Sequence, residues 1–151
     1  IRANHVDPRC LVLEITESAI MADAEESLQR LQELKRVGVM LAVDDFGTGY
    51  SSLNYLRRFP VDVLKIDKAF VDEIDEGFEH ASKKPVLIHT ILEIGRTLGL
   101  RVVAEGIEHE AQVQALMALG CEQGQGFHLS RPLSGIAAGA HLERARYLDA
   151  A

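Results

Sequence analysis

The chain lacks tryptophan, holds only two cysteines and four prolines, and has no excess of positive charge. Each shortage removes a class of protein. Cys10 and Cys121 stand alone without CxxC spacing, so neither a disulfide framework nor a structural zinc site is indicated. Sixteen Lys and Arg face 23 Asp and Glu, a formal net charge of −7. That balance argues against DNA or RNA as a partner. A phosphorylated ligand would instead need locally placed cations or a metal ion. No apolar run approaches the roughly 20 residues of a membrane span, and the N-terminus does not read as a signal peptide. The expected location is therefore a reducing cytoplasm, which also suits the cytoplasmic part of a membrane-anchored protein. The six histidines show no HxH or HExxH arrangement and read as structural or surface residues.

What is present is a domain-sized chain of 151 residues, 47% hydrophobic and 26% charged, enough for a real core and a polar surface. One pattern recurs along it. An amphipathic helical stretch ends in glycine, a continuously apolar run follows, and a polar side chain closes that run. "EESLQRLQELKRVG" leads into "VMLAVDD", "PVLIHTILEIGRTLG" into "LRVVAEG", and "EAQVQALMALG" into "CEQGQGF". "CLVLEIT" opens the chain as a further strand, and the short helix "SSLNYLRRFP" precedes the strand "VDVLKID". Strands buried on both faces, with helices between them, predict an α/β fold on a parallel sheet.

The closing polar residues are Glu14, Asp44, Lys65, Glu105 and Gln125, at intervals of 30, 21, 40 and 20 residues. A (β/α)8 barrel of about 250 residues has roughly 31 residues per unit. A doubly wound open sheet gives similar spacing but gathers its ligands at one crevice. Polar residues at every strand end favour the barrel. Only five strands are apparent, so the chain is expected to cover the last five βα units of a barrel. About three N-terminal units would lie outside it. Residues 75–85 read as a polar loop or helix extension, and the segment from Ser134 onward as the last covering helix.

Glu14, Asp44, Asp45, Asp67 and Glu105 would then share one rim with Lys65 as its cation. Carboxylates this close repel and acquire raised pKa values unless cations neutralise them. Hard oxygen donors select Mg²⁺, Mn²⁺ or Ca²⁺ over zinc, and such ions suit phosphodiester hydrolysis. Lys65 would orient water or stabilise developing charge, and Glu105 would act as general base. The plainer readings stand beside this: a strand-end acid as a helix N-cap, and Lys65 as a surface lysine. In a regular strand Asp44 and Asp45 point to opposite faces, so both reach one site only where the strand breaks.

"LVLEITES", "AVDDFGTGYSSL", "VDVLKIDKAFV", "VVAEGIE" and "QGFHLSRPL" resemble, in order and spacing, the EAL domain of bacterial cyclic-di-GMP phosphodiesterases, over about residues 6–133. The resemblance implies a TIM-type barrel with one reversed strand, and hydrolysis of cyclic-di-GMP to linear pGpG with two Mg²⁺ or Mn²⁺ ions, Ca²⁺ being inhibitory. It implies Glu14, Asp44, Asp45 and Asp67 as metal-site residues, and Lys65 and Glu105 as the catalytic pair. Gln125, Glu17, Glu108, Gly47, Thr48 and Gly49 become site-supporting residues, with Glu17 anchoring the loop after Asp45. Residues 47–53 become a mobile loop linking homodimer formation to metal binding. Upstream sensor or GGDEF domains in a longer chain are further implied partners. The signature Glu-Ala-Leu segment and an asparagine ligand of the next strand are not in the sequence, so the 151 residues alone are expected to be inactive. Two other readings stay open: a cyclic-di-GMP receptor that does not cleave, and a structural dimerisation module.

Overall fold

A computed structural model describes residues 1–49, 53–74 and 86–148. The polar region 75–85 and the tip of the glycine loop at 50–52 lie outside the described residues. Two single turns of 3-10 helix, Arg2–Asn4 and Pro8–Cys10, lead into strand β1 (Val12–Thr16). Helix α1 (Glu17–Ala22) and helix α2 (Ala24–Val37) carry the chain back to β2 (Met40–Phe46). After β2 come α3 (Leu53–Leu56), β3 (Val63–Ile66), α4 (Lys68–Asp72) and α5 (Val86–Leu98). The chain closes with β4 (Arg101–Ala104), α6 (Glu110–Ala118), β5 (Gln123–Gly124) and α7 (Gly135–Leu148).

The five strands form one parallel sheet in the order β1-β2-β3-β4-β5. That order excludes the doubly wound alternative, in which the strand sequence reverses at a switch point. Right-handed crossovers that always step the same way place every covering helix on one face of the sheet. The core agrees. Leu41, Val43, Leu64, Ile66 and Ala104 alternate toward the helices and pack with Ile20, Leu31, Ile88, Ile91, Leu92 and Leu116 in one cluster. Truncating a fully buried member such as Leu64 to alanine costs about 2–5 kcal/mol. Ala42 and Val63 are buried yet stand outside that cluster, because they point to the opposite face. Along the same face lie Glu14, Asp44, Lys65, Arg101 and Val103, as the register Glu14↔Ala42↔Val63↔Arg101 and Lys65↔Val103 requires.

Three expectations are corrected. The segment from Ser134 onward does form a helix, but it covers little. Ile136 is 91% exposed and Leu142 is 66% exposed, because the helix has no apolar stripe to bury. Glu14 does not close β1 but sits in its middle, two residues before Thr16. Helices α1 and α4 were not anticipated. Both are single turns set off by an N-cap, Thr16 accepting from the Ala19 N–H at 3.4 Å and Asp67 from the Ala69 N–H at 2.9 Å.

Candidate active site

The decisive local event lies within β2. Pairing runs Val43↔Leu64 and then Phe46↔Ile66, so β2 uses three steps where β3 uses two. The extra residue makes a β-bulge. Asp45 carries the distortion with φ of 53°, a left-handed conformation that aspartate tolerates better than most side chains. The bulge breaks the alternation that would separate Asp44 from Asp45, and their carboxylates feel each other's charge. The break falls inside the strand, since β2 resumes at Phe46 before turning.

Glycine 47 (φ 100°) makes that turn and gives its N–H to Glu17 Oε2 at 2.8 Å. Thr48 adds a hydroxyl bond to the Asp45 carbonyl, also 2.8 Å. Glu17 is only 3% exposed, and a Cβ on Gly49 would stand 2.8 Å from its Oε1. The loop after Asp45 thus rests on a buried carboxylate at the start of α1, where the helix N-terminus favours negative charge.

Lys65 is the centre of the rim. Its side chain is 7% exposed, and its Nζ lies 2.6 Å from Glu14 Oε2, 2.6 Å from Glu105 Oε1 and 3.1 Å from Asp44 Oδ1. Burial pulls the ammonium toward neutrality, but the contacts with Glu105, Glu14 and Asp44 outweigh it and hold its pKa above the ordinary lysine value. Lys65 is therefore a fixed positive charge, not a proton acceptor. Burial raises the Glu105 carboxyl, Lys65 lowers it, and Asp44 and Glu14 push it up again, with the net shift upward. The Asp45 carboxyl is also raised, first by burial, then by the neighbouring carboxylates of Asp44 and Asp67, with Lys65 opposing them.

Glu14, Asp44 and Glu105 thus meet on the Lys65 ammonium, and Asp45 lies close enough to Asp44 and Asp67 for their charges to act on it. Asp67 also serves as the N-cap of α4. Glu108 lies slightly outside, 3.2 Å from Lys68 Nζ. Gln125 exits β5 with an exposed side chain, its N–H bonded to the Ala104 carbonyl at 2.8 Å. A cavity of about 340 Å³ adjoins this rim, bounded by Asp67, Lys68, Glu105, Glu108, Gln125 and Phe127. That volume is at the small end for a ligand pocket. A larger cleft of about 480 Å³ lies beside the outer strand β5, but Val113, Leu116, Met117 and Leu129 make it largely apolar and it holds none of the rim residues.

A metal ion can be tested against these donors. Their chemistry suits a hard divalent ion, and Asp44 Oδ1 is buried without a hydrogen-bond partner, its contact with Lys65 being one of charge alone. Their number does not suffice. Among the described residues no three of His, Cys, Asp and Glu converge as a ligand set, because the Lys65 ammonium stands between Glu14, Asp44 and Glu105. The chain offers part of a coordination shell.

A family model described as the EAL domain matches residues 1–132. The chain belongs to the EAL domain family. Over 128 residues it is 48% identical to the "Bifunctional diguanylate cyclase/cyclic di-GMP phosphodiesterase MucR" of Pseudomonas aeruginosa, covering 85% of this chain and 18% of that protein. A solved structure, "PaMucR Phosphodiesterase, c-di-GMP complex", superposes with a TM-score of 0.82 at 45% identity, covering 91% of this chain and 54% of that one. A manganese/cy-diGMP complex of Klebsiella pneumoniae BlrP1 gives a TM-score of 0.73 at 32% identity, covering 83% of this chain and 31% of that one. The chain therefore spans about half the length of the MucR structure it matches, and its five parallel strands are part of the TIM-type barrel of EAL domains.

One buried polar side chain beside the site escaped the sequence reading. Gln112 is 4% exposed, and with Glu17 and Lys65 it is one of three buried polar residues among the described residues. The sequence signal was a glutamine at the third position of α6, where Glu or Gln often reaches back to cap the helix.

Proposed function

We propose that this chain is the C-terminal part of a phosphodiesterase domain that hydrolyses cyclic-di-GMP to linear pGpG in a divalent-metal-dependent reaction. The observation that carries the reading is the buried Lys65 ammonium held between Glu14, Asp44 and Glu105, with Asp45 turned to the same rim by the bulge. Three carboxylates on one ammonium, with Asp45 and Asp67 beside them, repel a phosphodiester, so the substrate needs an added cation, and the hard oxygens select Mg²⁺ or Mn²⁺. Glu14, Asp44 and Asp45, with Asp67 behind Asp45, would hold that side of the ion. When bound, the ion supplies charge neutralisation and a water of lowered pKa.

The chain's own residues divide the remaining work. Lys65 stays protonated and faces the charge that develops on phosphorus-bound oxygen. Glu105, with its pKa moved toward the working pH, takes the proton from the attacking water as one phosphodiester bond opens. Glu17 and Gly47–Gly49 keep the bulge in place, and Gln125 and Glu108 line the cavity beside it. Dimerisation through the segment after Asp45, upstream sensor or GGDEF domains, and cytoplasmic localisation belong to the same proposal.

The test is turnover of cyclic-di-GMP by the full-length protein in Mg²⁺ or Mn²⁺, with pGpG as the product. Tight binding without turnover would select the receptor reading. Absence of binding with dimerisation intact would select a structural module.

A further inference from the structure

The three buried polar residues all serve the same rim. Glu17 holds the loop after β2, Lys65 holds the carboxylates, and Gln112 holds the exit of β4. A buried amide costs stability unless it is hydrogen-bonded, and Gln112 is bonded on both sides. Its Oε1 accepts the N–H groups of Glu108 at 2.8 Å and His109 at 3.1 Å. Its Nε2 donates to the carbonyl of Val71 on α4 at 3.3 Å. The helix cap accounts for the first pair of bonds. It does not account for the bond to α4.

That bond joins two elements that leave adjacent strands and carry the rim. Helix α4 begins at Asp67, two residues after Lys65. The segment 105–109 begins at Glu105, whose N–H bonds the Ile66 carbonyl at 3.1 Å. The segment is tightly enclosed. A Cβ on Gly106 would stand 2.3 Å from Lys68 Cγ, and one on Gly126 would stand 2.1 Å from the Ile107 carbonyl oxygen. Ile107 is further bonded to the β5 exit, its N–H to the Gln125 carbonyl and its carbonyl to the His128 N–H. On the α4 side, the only buried polar tie among the described bonds is Gln112.

We propose that Gln112 is a positioning residue for Glu105: by clamping the β4 exit to α4 it fixes the Glu105 carboxylate against the Lys65 ammonium. The inference rests on the phosphodiesterase reading for its consequence but not for its geometry. Gln112→Glu separates clamp from cap. Glutamate keeps both acceptor bonds and suits this helix position, yet it cannot donate to the Val71 carbonyl when ionised.

In the full-length protein, three quantities are compared with wild type: the melting temperature, kcat and KM for cyclic-di-GMP, and amide hydrogen exchange over residues 105–109. Gln112→Glu sets a carboxylate oxygen against the Val71 carbonyl and is expected to melt below wild type but above Gln112→Ala, to lose roughly 10- to 100-fold in kcat with KM held within about threefold, and to exchange faster over 105–109. Gln112→Ala is expected to lose kcat and melting temperature together. Wild-type kcat in Gln112→Glu would reduce Gln112 to a helix cap and overturn the proposal. Should Gln112→Glu melt as low as Gln112→Ala, Gln112→Met, similar in volume and without either polar atom, takes its place. Wild-type kcat there overturns the proposal equally. If the wild-type protein does not turn over cyclic-di-GMP, the reaction reading fails by itself. Exchange then decides the clamp: faster exchange in Gln112→Glu supports it, and unchanged exchange refutes it.

Discussion

Replacing Lys65 with methionine keeps the aliphatic stem and removes one charge. Lys65 is 7% exposed, whereas its partners Glu14, Asp44 and Glu105 are 47%, 23% and 20% exposed. Removing one partner of a fully buried ion pair costs about 3–5 kcal/mol. These carboxylates keep part of their water, so the loss is discounted to about 2–3 kcal/mol at neutral pH. The sign with pH follows from the carboxyls. Without the ammonium the carboxylates repel one another, and the Glu105 carboxyl, which Lys65 holds down, rises further above its ordinary value. A group with a raised folded pKa gives its full stability below the unfolded pKa and loses it as pH rises through the folded one. In wild type, Lys65 itself stays charged throughout this range, its contribution fading only above its ordinary pKa of 10.5. The deficit of Lys65→Met should therefore be smallest near pH 4 and grow to its plateau by pH 7. Urea denaturation followed by circular dichroism, at both pH values, measures it. An equal deficit at the two pH values would show that Lys65 contributes packing and not charge.

Other expectations concern the supports of the site. Gly126→Ala drives a Cβ into the Ile107 backbone and should cost about 3 kcal/mol or more. Gly99→Ala, at φ of 69° with open space around it, should cost only about 1–2 kcal/mol for the left-handed backbone; equal losses in urea denaturation would contradict the contact. Glu17→Ala strips the acceptor from the Gly47 N–H and should cost about 1–3 kcal/mol, while exchange of the Gly47 amide rises; an unchanged amide would show that the loop holds itself. In thiol titration of the folded protein, exposed Cys10 should react quickly. Cys121, buried and with its pKa raised chiefly by that burial, should react only on unfolding. Two fast thiols would contradict the burial of Cys121.

The parts of the fold set by local pattern were legible. Continuous apolar runs such as Met40–Val43 and Val102–Ala104 became strands, and the glycine-terminated amphipathic stretches became helices beside them. The rim was legible as a list of residues, because each lies on or just beyond a strand. The contacts among them were not. Lys65 lies 51 residues after Glu14, 21 after Asp44 and 40 before Glu105, and no local pattern encodes that these three carboxylates meet on one ammonium. The bulge at Asp45 was foreseeable only as a necessity, since a regular strand separates the two aspartates. Its place inside β2 depends on pairing with β3. Helix α7 misled for the opposite reason: its composition is apolar enough to suggest a covering helix, but its apolar residues do not share a face.

Cyclic-di-GMP turnover by the full-length protein, measured beside Lys65→Met and with Mg²⁺ present, tests the central claim most directly. The arrangement around Lys65 predicts conversion to pGpG by wild type, loss of turnover in the variant, and retained nucleotide binding in both. Tight binding by wild type with no pGpG formed would contradict it.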